Sequence, residues 1–445
     1  MKKCYNFSIL FIIILSSVLQ AQKWTTYDYN SSNYTITASN CLAADANGNI
    51  WIGANNSIVK FDQNKTWTVY NSSNSQMPQD NPTDIEIDGS NNIWISTYGT
   101  GFYSFNGSTW SKYTNTTTSG NMPTDYTYCM TFDNSGNVYV GIYCGNSRNA
   151  GLVKWNKAST WTTFNSFFDG YNYKNVEAIA KDKSGNIWCG TSIGVFKYDP
   201  VGNTWAQYTK ENTNSGLGGN YVRAINVDAS GNIWFGCMNY NTTTYAWEGG
   251  GLSKFNGTTW TNYKPTNSGL SNAMVSAIAF RNNDVWVGTG FCGQYTGNGL
   301  YKFDGTNWTN YSNSTSTFPG TCVNKIVVDK NNNVWIAGAN IVTKIDYTVG
   351  IDKSESLPGS FQLMQNYPNP FNPSTKINYN LKEAGYTYLK VYDLLGREIA
   401  ELVNEYQNPG YYSVEFDASK FTAGTYFYKL RCGNFVDVKK MVLVK

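Results

Sequence analysis

One pattern, Asp-x-x-Gly/Asn-Asn-Ile/Val-Trp/Tyr-Ile/Val-Gly, recurs along most of this 445-residue chain and limits what it can fold into. It appears as DANGNIWIG (45–53), DGSNNIWIS (88–96), DNSGNVYVG (133–141), DKSGNIWCG (182–190), DASGNIWFG (228–236) and DKNNNVWIA (329–337), with a shortened copy, RNNDVWVG, at 281–288. Aligned on Trp51, Trp94, Tyr139, Trp188, Trp234, Trp286 and Trp335, the spacings are 43, 45, 49, 46, 52 and 49 residues. Within each unit an alternating strand runs to the Asp turn, where Gly or Asn supplies the left-handed residue of a hairpin. The strand IWIG or its equivalent follows, then a loop, a third strand such as GLSKF (251–255), a turn such as FNGTTW (255–260) and a closing WTxY strand.

Seven four-strand units at this period describe an all-β, seven-bladed β-propeller over residues 22–349. The seventh unit lacks its WTxY strand, while Trp24-Thr25-Thr26-Tyr27 stands alone at the front of the chain. Pairing that orphan into the last blade closes the ring and leaves no open edge there. Aromatic residues at 16% and charged residues at only 14% suit such a strand-and-turn protein.

The chain begins with a basic start and an apolar run, Ile9 to Ile14 extending toward Leu19, so residues 1–21 read as a cleaved signal peptide. The run is short for a spanning helix, and no transmembrane segment is expected in the mature chain. The net charge of +3 comes without any basic cluster, so no nucleic-acid partner is implied. Histidine is absent, which excludes Ser-His-Asp and Cys-His catalysis and His-ligated metals. No cofactor is implied. The Asp-x-Asn-x-Asn run at Asp329 lacks the bidentate Glu of a calcium loop and reads as an Asx turn.

The units, with NSGL before the first strand at 214–217 and 267–270, resemble the two-component regulator propeller repeats of bacterial periplasmic sensors. The resemblance implies the propeller fold and a habit of binding something extracellular. In that family the propeller usually precedes a membrane helix and a histidine kinase. This chain shows neither a second apolar span nor any histidine, so the signalling role does not carry over.

After a polar linker (350–360), residues 361–445 alternate strand-like runs with Gly and Asn turns and predict a small Ig-like β-sandwich. The runs QNYPNPFNPSTKI, KVYDLLGREI, AGTYFYKL and KKMVLVK closely resemble the type A C-terminal sorting domain of the type IX secretion system. Its sorting motif falls on Asn366, Tyr367, Pro368, Asn369, Pro370, Phe371, Asn372 and Pro373. The resemblance implies passage through the outer membrane, with the secretion machinery and a sortase-like peptidase as partners. The mature protein is then secreted or held on the outer cell surface.

Three units carry enlarged loops between their second and third strands: IYCGNSRNAG (142–151), CMNYNTTTYAWEGGG (237–251) and TGFCGQYTGNG (289–299). All three should rise on one face, and grown loops on a rigid scaffold are where function tends to reside. They supply the candidate ligand-binding residues Tyr143, Arg148, Tyr240, Tyr245, Trp247, Glu248, Phe291 and Tyr295. The other Trp residues fall at repeat positions and are expected to pack blade on blade. Five residues before each turn Asp, or before its replacement Arg281, stand Asn40, Thr83, Tyr128, Glu177, Arg223, Ser276 and Asn324. This polar ring should line the channel mouth on that same face, with Glu177 and Arg223 pairing. Cys41 and Cys129 share a first-strand position expected to be Ala elsewhere, while Cys292 and Cys322 are placed to form a disulfide.

The expected function is non-covalent binding of an extracellular glycan or protein. An extracellular polysaccharide-acting hydrolase or lyase using carboxylates such as Glu177 and Glu248 is the alternative, and a structural surface protein the third.

Overall fold

The computed structural model describes residues 23–27, 39–62, 65–142, 151–164, 175–241, 246–290, 292, 297–312, 318–338, 340–347 and 360–444. Tyr143, Arg148, Tyr245, Phe291 and Tyr295 lie outside them. The chain divides into two compact units, Met1–Val349 and Gly350–Lys445.

In the first unit seven four-stranded antiparallel sheets follow one another as blades. Their innermost strands are Cys41–Ala44, Pro82–Ile87, Thr127–Phe132, Val176–Lys181, Tyr221–Val227, Val275–Arg281 and Lys325–Val328, blades 1 to 7 in that order. The last blade is completed by Lys23–Tyr27, antiparallel to Ile341–Asp346 with Trp24 opposite Ile345 and Tyr27 opposite Val342. Trp24 meets Tyr311 of blade 6 at 5.1 Å between ring centroids, and Tyr27 meets Trp67 of blade 1 at 5.4 Å. The orphan strand therefore joins both neighbours of the seventh blade.

The repeat has a physical cause. In blade 4 Asp182 Oδ1 accepts the backbone N–H of Ser184 and Asn186, each at 2.9 Å. Its Oδ2 accepts Asn186 Nδ2 at 2.8 Å and Trp188 Nε1 at 2.8 Å. One carboxylate thus closes the turn and fixes the indole of the next strand, and the same Asp–Trp bond recurs in blades 1, 2, 5 and 7. With its oxygens taken by four N–H donors, Asp329 is a turn residue. Blade 6 departs from the rule. Arg281 replaces the Asp, and Trp286 Nε1 is buried with no hydrogen-bond partner among the described residues.

The second-strand Gly is equally determined. A Cβ on Gly236 would lie 2.6 Å from the backbone oxygen of Val275 in the next blade, so the blades approach too closely for a side chain.

The second unit is a sandwich of two sheets. One runs in the order Gln362–Leu363, Ser374–Leu381, Gly410–Asp417, the other Glu398–Gln407, Gly385–Tyr392, Gly424–Cys432, Phe435–Leu443. Tyr379, Leu389, Val391, Phe416, Tyr428 and Met441 are among the residues filling the space between them. No helix among the described residues is long and apolar enough to cross a membrane.

Candidate functional site

The inner strands surround a cavity of about 1060 Å³ whose lining includes all seven ring residues, Asn40, Thr83, Tyr128, Glu177, Arg223, Ser276 and Asn324. In blades 2 to 6 each occupies a β-bulge, seen as a register shift such as that between Val222 and Ala224. A bulge leaves one residue out of the ladder and re-aims its side chain. This is how a polar residue comes to face the channel between apolar neighbours.

Around part of the ring that residue ties its blade to the next. Thr83 Oγ1 donates to Thr127 O (3.0 Å), Ser276 Oγ to Val323 O (2.6 Å) and Asn324 Nδ2 to Ser39 O (3.0 Å). From blade 3 to blade 5 the position holds Tyr128, Glu177 and Arg223, and these side chains meet one another. Arg223 donates to Tyr128 Oη at 2.6 Å and to Tyr221 Oη at 3.3 Å. Its Nη1 lies 3.6 Å from Glu177 Oε2, the expected ion pair. Burial works against the guanidinium's charge, but Tyr128, Glu177 and Tyr221 outweigh it and hold its pKa above the ordinary value. Burial pushes the Tyr128 phenol up to about 12.

This cluster continues outward into the unrepeated loop of blade 5. There the second and third strands run on as Ile233–Asn241 and Ala246–Phe255, pairing Tyr240 with Trp247 and Asn239 with Glu248. Trp247 stands edge-on to Tyr221 at 4.6 Å and beside Tyr240 at 5.1 Å. Gly249 is required here, because a Cβ would fall 2.4 Å from the backbone of Ala273 as the hairpin passes it. The path Tyr128–Arg223–Tyr221–Trp247–Tyr240 is therefore unbroken from channel mouth to hairpin. Glu248 is exposed on the hairpin.

Two features were not anticipated from loop length. Tyr98, in the loop between the second and third strands of blade 2, meets Tyr126, which precedes blade 3, edge-on at 5.8 Å. Both lie on the same face and are 46% and 47% exposed; Tyr98 also lines the cavity. With Tyr240 (48%) they are three of the four exposed large apolar or aromatic side chains among the propeller's described residues.

The second feature corrects the expectation that the Cys41/Cys129 position is otherwise Ala. It is Ala in blades 4 to 6, but Asp84 in blade 2 and Lys325 in blade 7. Lys325 Nζ bridges to Asp84 Oδ1 at 2.9 Å, past blade 1. Glu86 lines the cavity two residues further on; burial and then the Asp84 carboxylate push its pKa to about 8, against the pull of Lys325. Cys41, Cys129, Cys189 and Cys237 are buried, and Cys292 is bonded to Cys322.

In the tail, the sorting motif splits into buried and displayed residues. Asn366 is buried, its backbone N–H on Tyr428 Oη (2.8 Å) and its Nδ2 on Thr375 Oγ1 (2.9 Å). Phe371 is buried and exchanges backbone bonds with Val442 and Val444, while Asn369 Oδ1 accepts the Val442 N–H. Tyr367, Pro368, Pro370, Asn372 and Pro373 are exposed.

Comparison with known proteins bears on both units. Residues 31–56 and 216–239 match the two component regulator propeller family, and residues 365–445 match the secretion system C-terminal sorting domain. No curated protein matches the chain. Among solved structures it resembles the extracellular domain of BT3049 from B. thetaiotaomicron, described as a hybrid two component system. The TM-score is 0.57 at 18% identity, over 94% of this chain and 57% of that one. The extracellular domain of BT4673, described as a one component system of the same organism, gives 0.57 at 14%, over 96% and 59%. This chain thus spans under three-fifths of either domain. A streptogramin B lyase structure gives 0.54 at 14%, over 73% of this chain and 97% of that one. At these identities the likeness is one of fold.

The class is a seven-bladed β-propeller, two segments of which match the two component regulator propeller model. More particularly, its C-terminal residues 365–445 match a secretion sorting domain, which supports a secreted or surface propeller.

Proposed function

We propose that the propeller binds an extracellular glycan or protein non-covalently on the face formed by blades 3 to 5. The observation that carries this reading is the change of use at the bulge position. Thr83, Ser276 and Asn324 stitch blades together, whereas Tyr128, Glu177 and Arg223 gather into a cluster that leads to Trp247 and Tyr240. Exposed aromatic faces beside hydroxyl, amide and charged groups suit a ligand that is apolar on one face and hydrogen-bonding at its edge. Glu177 is engaged with Arg223, which favours binding over a carboxylate-based hydrolysis that would use Glu177 and Glu248.

The test is a glycan and protein array probed with the full chain, followed by titration of any hit against Trp247→Ala and Tyr240→Ala. Loss of an aromatic platform worth about 1.4 kcal/mol should weaken binding roughly tenfold. A hit that binds both variants as tightly as the parent would place the site elsewhere. Turnover of a hit that Glu177→Gln or Glu248→Gln abolishes would favour the enzyme instead.

A further inference from the structure

The tail repeats a device of the propeller with one substitution that the device does not need. Its hairpin between Gly385–Tyr392 and Glu398–Gln407 turns through Asp393-Leu394-Leu395-Gly396-Arg397. Asp393 Oδ1 accepts the N–H of Leu395 and of Arg397, each at 2.9 Å, as Asp182 Oδ1 accepts those of Ser184 and Asn186. The backbone bonds Gly396 N to Asp393 O and Gly185 N to Asp182 O are both 3.0 Å, and both glycines have positive φ, 77° and 88°.

The turn is therefore the same, and the chain builds it six times in the propeller with small or polar residues at the two central positions. These are Ala46-Asn47, Gly89-Ser90, Asn134-Ser135, Lys183-Ser184, Ala229-Ser230 and Lys330-Asn331. Only the tail has Leu-Leu, and both leucines stand in solvent, 70% and 79% exposed. A turn closed by Asp and Gly gains nothing from them, and exposed leucines give up the free energy of burial.

They are not isolated. Tyr392 pairs opposite Phe427, and Gly424, at the start of that same strand, opposite Leu443. The hairpin tip thus shares one end of the sandwich with Val444, 44% exposed, and with the exposed Pro370, Asn372 and Pro373 around the anchored Phe371. Of the eight exposed large apolar or aromatic side chains described in this unit, Leu394, Leu395 and Val444 share this end, whereas Tyr386, Tyr406 and Val436 lie at the other, where Gly385 pairs with Gln407 and Cys432 with Phe435. Exposed apolar side chains gathered at one end of a small domain mark a contact surface.

We propose that Leu394 and Leu395 are the apolar contact through which a protein of the export machinery grips the tail, with the buried Asn366 and Phe371 only holding the adjoining turn in place. The occupant follows from the match of residues 365–445 to a sorting domain, on whose sorting role this inference rests.

The test borrows the propeller's own turn. The full chain carrying Leu394→Lys and Leu395→Ser, the pair found at Lys183-Ser184, is expressed in a host with the type IX system, beside the parent and a chain lacking residues 361–445. The expected result is at least a tenfold fall in the exported fraction with accumulation in the periplasm, and an unchanged melting midpoint of the purified protein. Export at the parental level while the truncated chain is retained would overturn the leucine contact and leave the sorting role standing. Export of the truncated chain would overturn the sorting role itself. A lowered midpoint would make the leucines structural, and a parent dimer that the variant turns into a monomer would make the occupant a second copy; either refutes the proposal.

Discussion

Trp188 and Trp286 occupy the same repeat position, are equally buried, and differ in one bond. Trp188 Nε1 donates to Asp182 Oδ2 at 2.8 Å, whereas Trp286 Nε1 has no partner among the described residues, Arg281 standing in place of the turn Asp. Replacing each by Phe removes similar ring area, costing about 1–2 kcal/mol in either blade from the apolar surface lost. Only Trp188→Phe also strips a donor from a buried carboxylate, which adds about 1.5–3 kcal/mol. In blade 6 the change instead removes an unsatisfied N–H, whose desolvation cost of about 1–3 kcal/mol is recovered and offsets the ring loss. The variants should therefore differ by at least about 2 kcal/mol, with Trp188→Phe the weaker. Urea unfolding of the full chain, followed by near-ultraviolet circular dichroism, reads the difference as a gap between midpoints at similar slope. Equal midpoints would refute the idea that the turn carboxylate selects Trp through its N–H. Ring size alone would then explain the repeat.

Removing residues 23–27 takes from blade 7 its outer strand, two aromatic anchors and the closing ladder. Each anchor is worth about 2–3 kcal/mol by burial, so the loss rivals the stability of a typical domain; an unchanged melting curve would sink the seven-blade closure. Glu86 gives a pH test. Its folded pKa of about 8 lies above the ordinary 4.5, so the folded state holds a proton that the unfolded chain releases. Stability is full below pH 4.5 and is lost as pH rises toward 8, by at most about 1.4 kcal/mol per unit. Glu86→Gln should flatten the fall in urea midpoint between pH 5 and pH 8, and parallel curves for parent and variant would refute the assignment.

How much of this could be read in the sequence depended on how far each cause reaches along the chain. The Asp turn, its Gly and the Trp six residues on act within one hairpin, so blades, closure and packing Trp residues were legible. So was the polar ring, because in blades 2 to 6 a bulge in the inner strand shifts the same residue. The Asp84–Lys325 bridge joins residues 241 apart and has no local signature. Tyr98 and Tyr126 stayed hidden for a different reason. Their loops are not enlarged, and only the fold shows that two short segments from adjacent blades bring them together at the mouth. The stitching by Thr83, Ser276 and Asn324 was also invisible, since their acceptors are backbone carbonyls of the next blade.

A repeat protein supplies its own control for deciding which departures from the pattern matter. Arg281 breaks the Asp rule, but its guanidinium lies 3.3 Å from the centre of the Tyr347 ring and its Nε donates to Asn332 O at 2.9 Å. That departure is answered inside the protein, at the cost of one unsatisfied indole, and needs no ligand to explain it. The departures at Trp247 and at Leu394-Leu395 differ in kind. Trp247 belongs to no repeat position, and with Tyr221 and Tyr240 it prolongs the channel-mouth cluster into an exposed hairpin. The leucines ride on a turn that the chain elsewhere makes with Lys-Ser or Ala-Asn. Neither the turn nor the core is improved by placing them in water. Apolar surface presented on a rigid frame that gains nothing from it is stabilised only when something outside covers it. That distinction, between a departure balanced within the fold and one left facing outward, is what the proposed binding face at blade 5 and the proposed export contact at the tail's hairpin tip have in common.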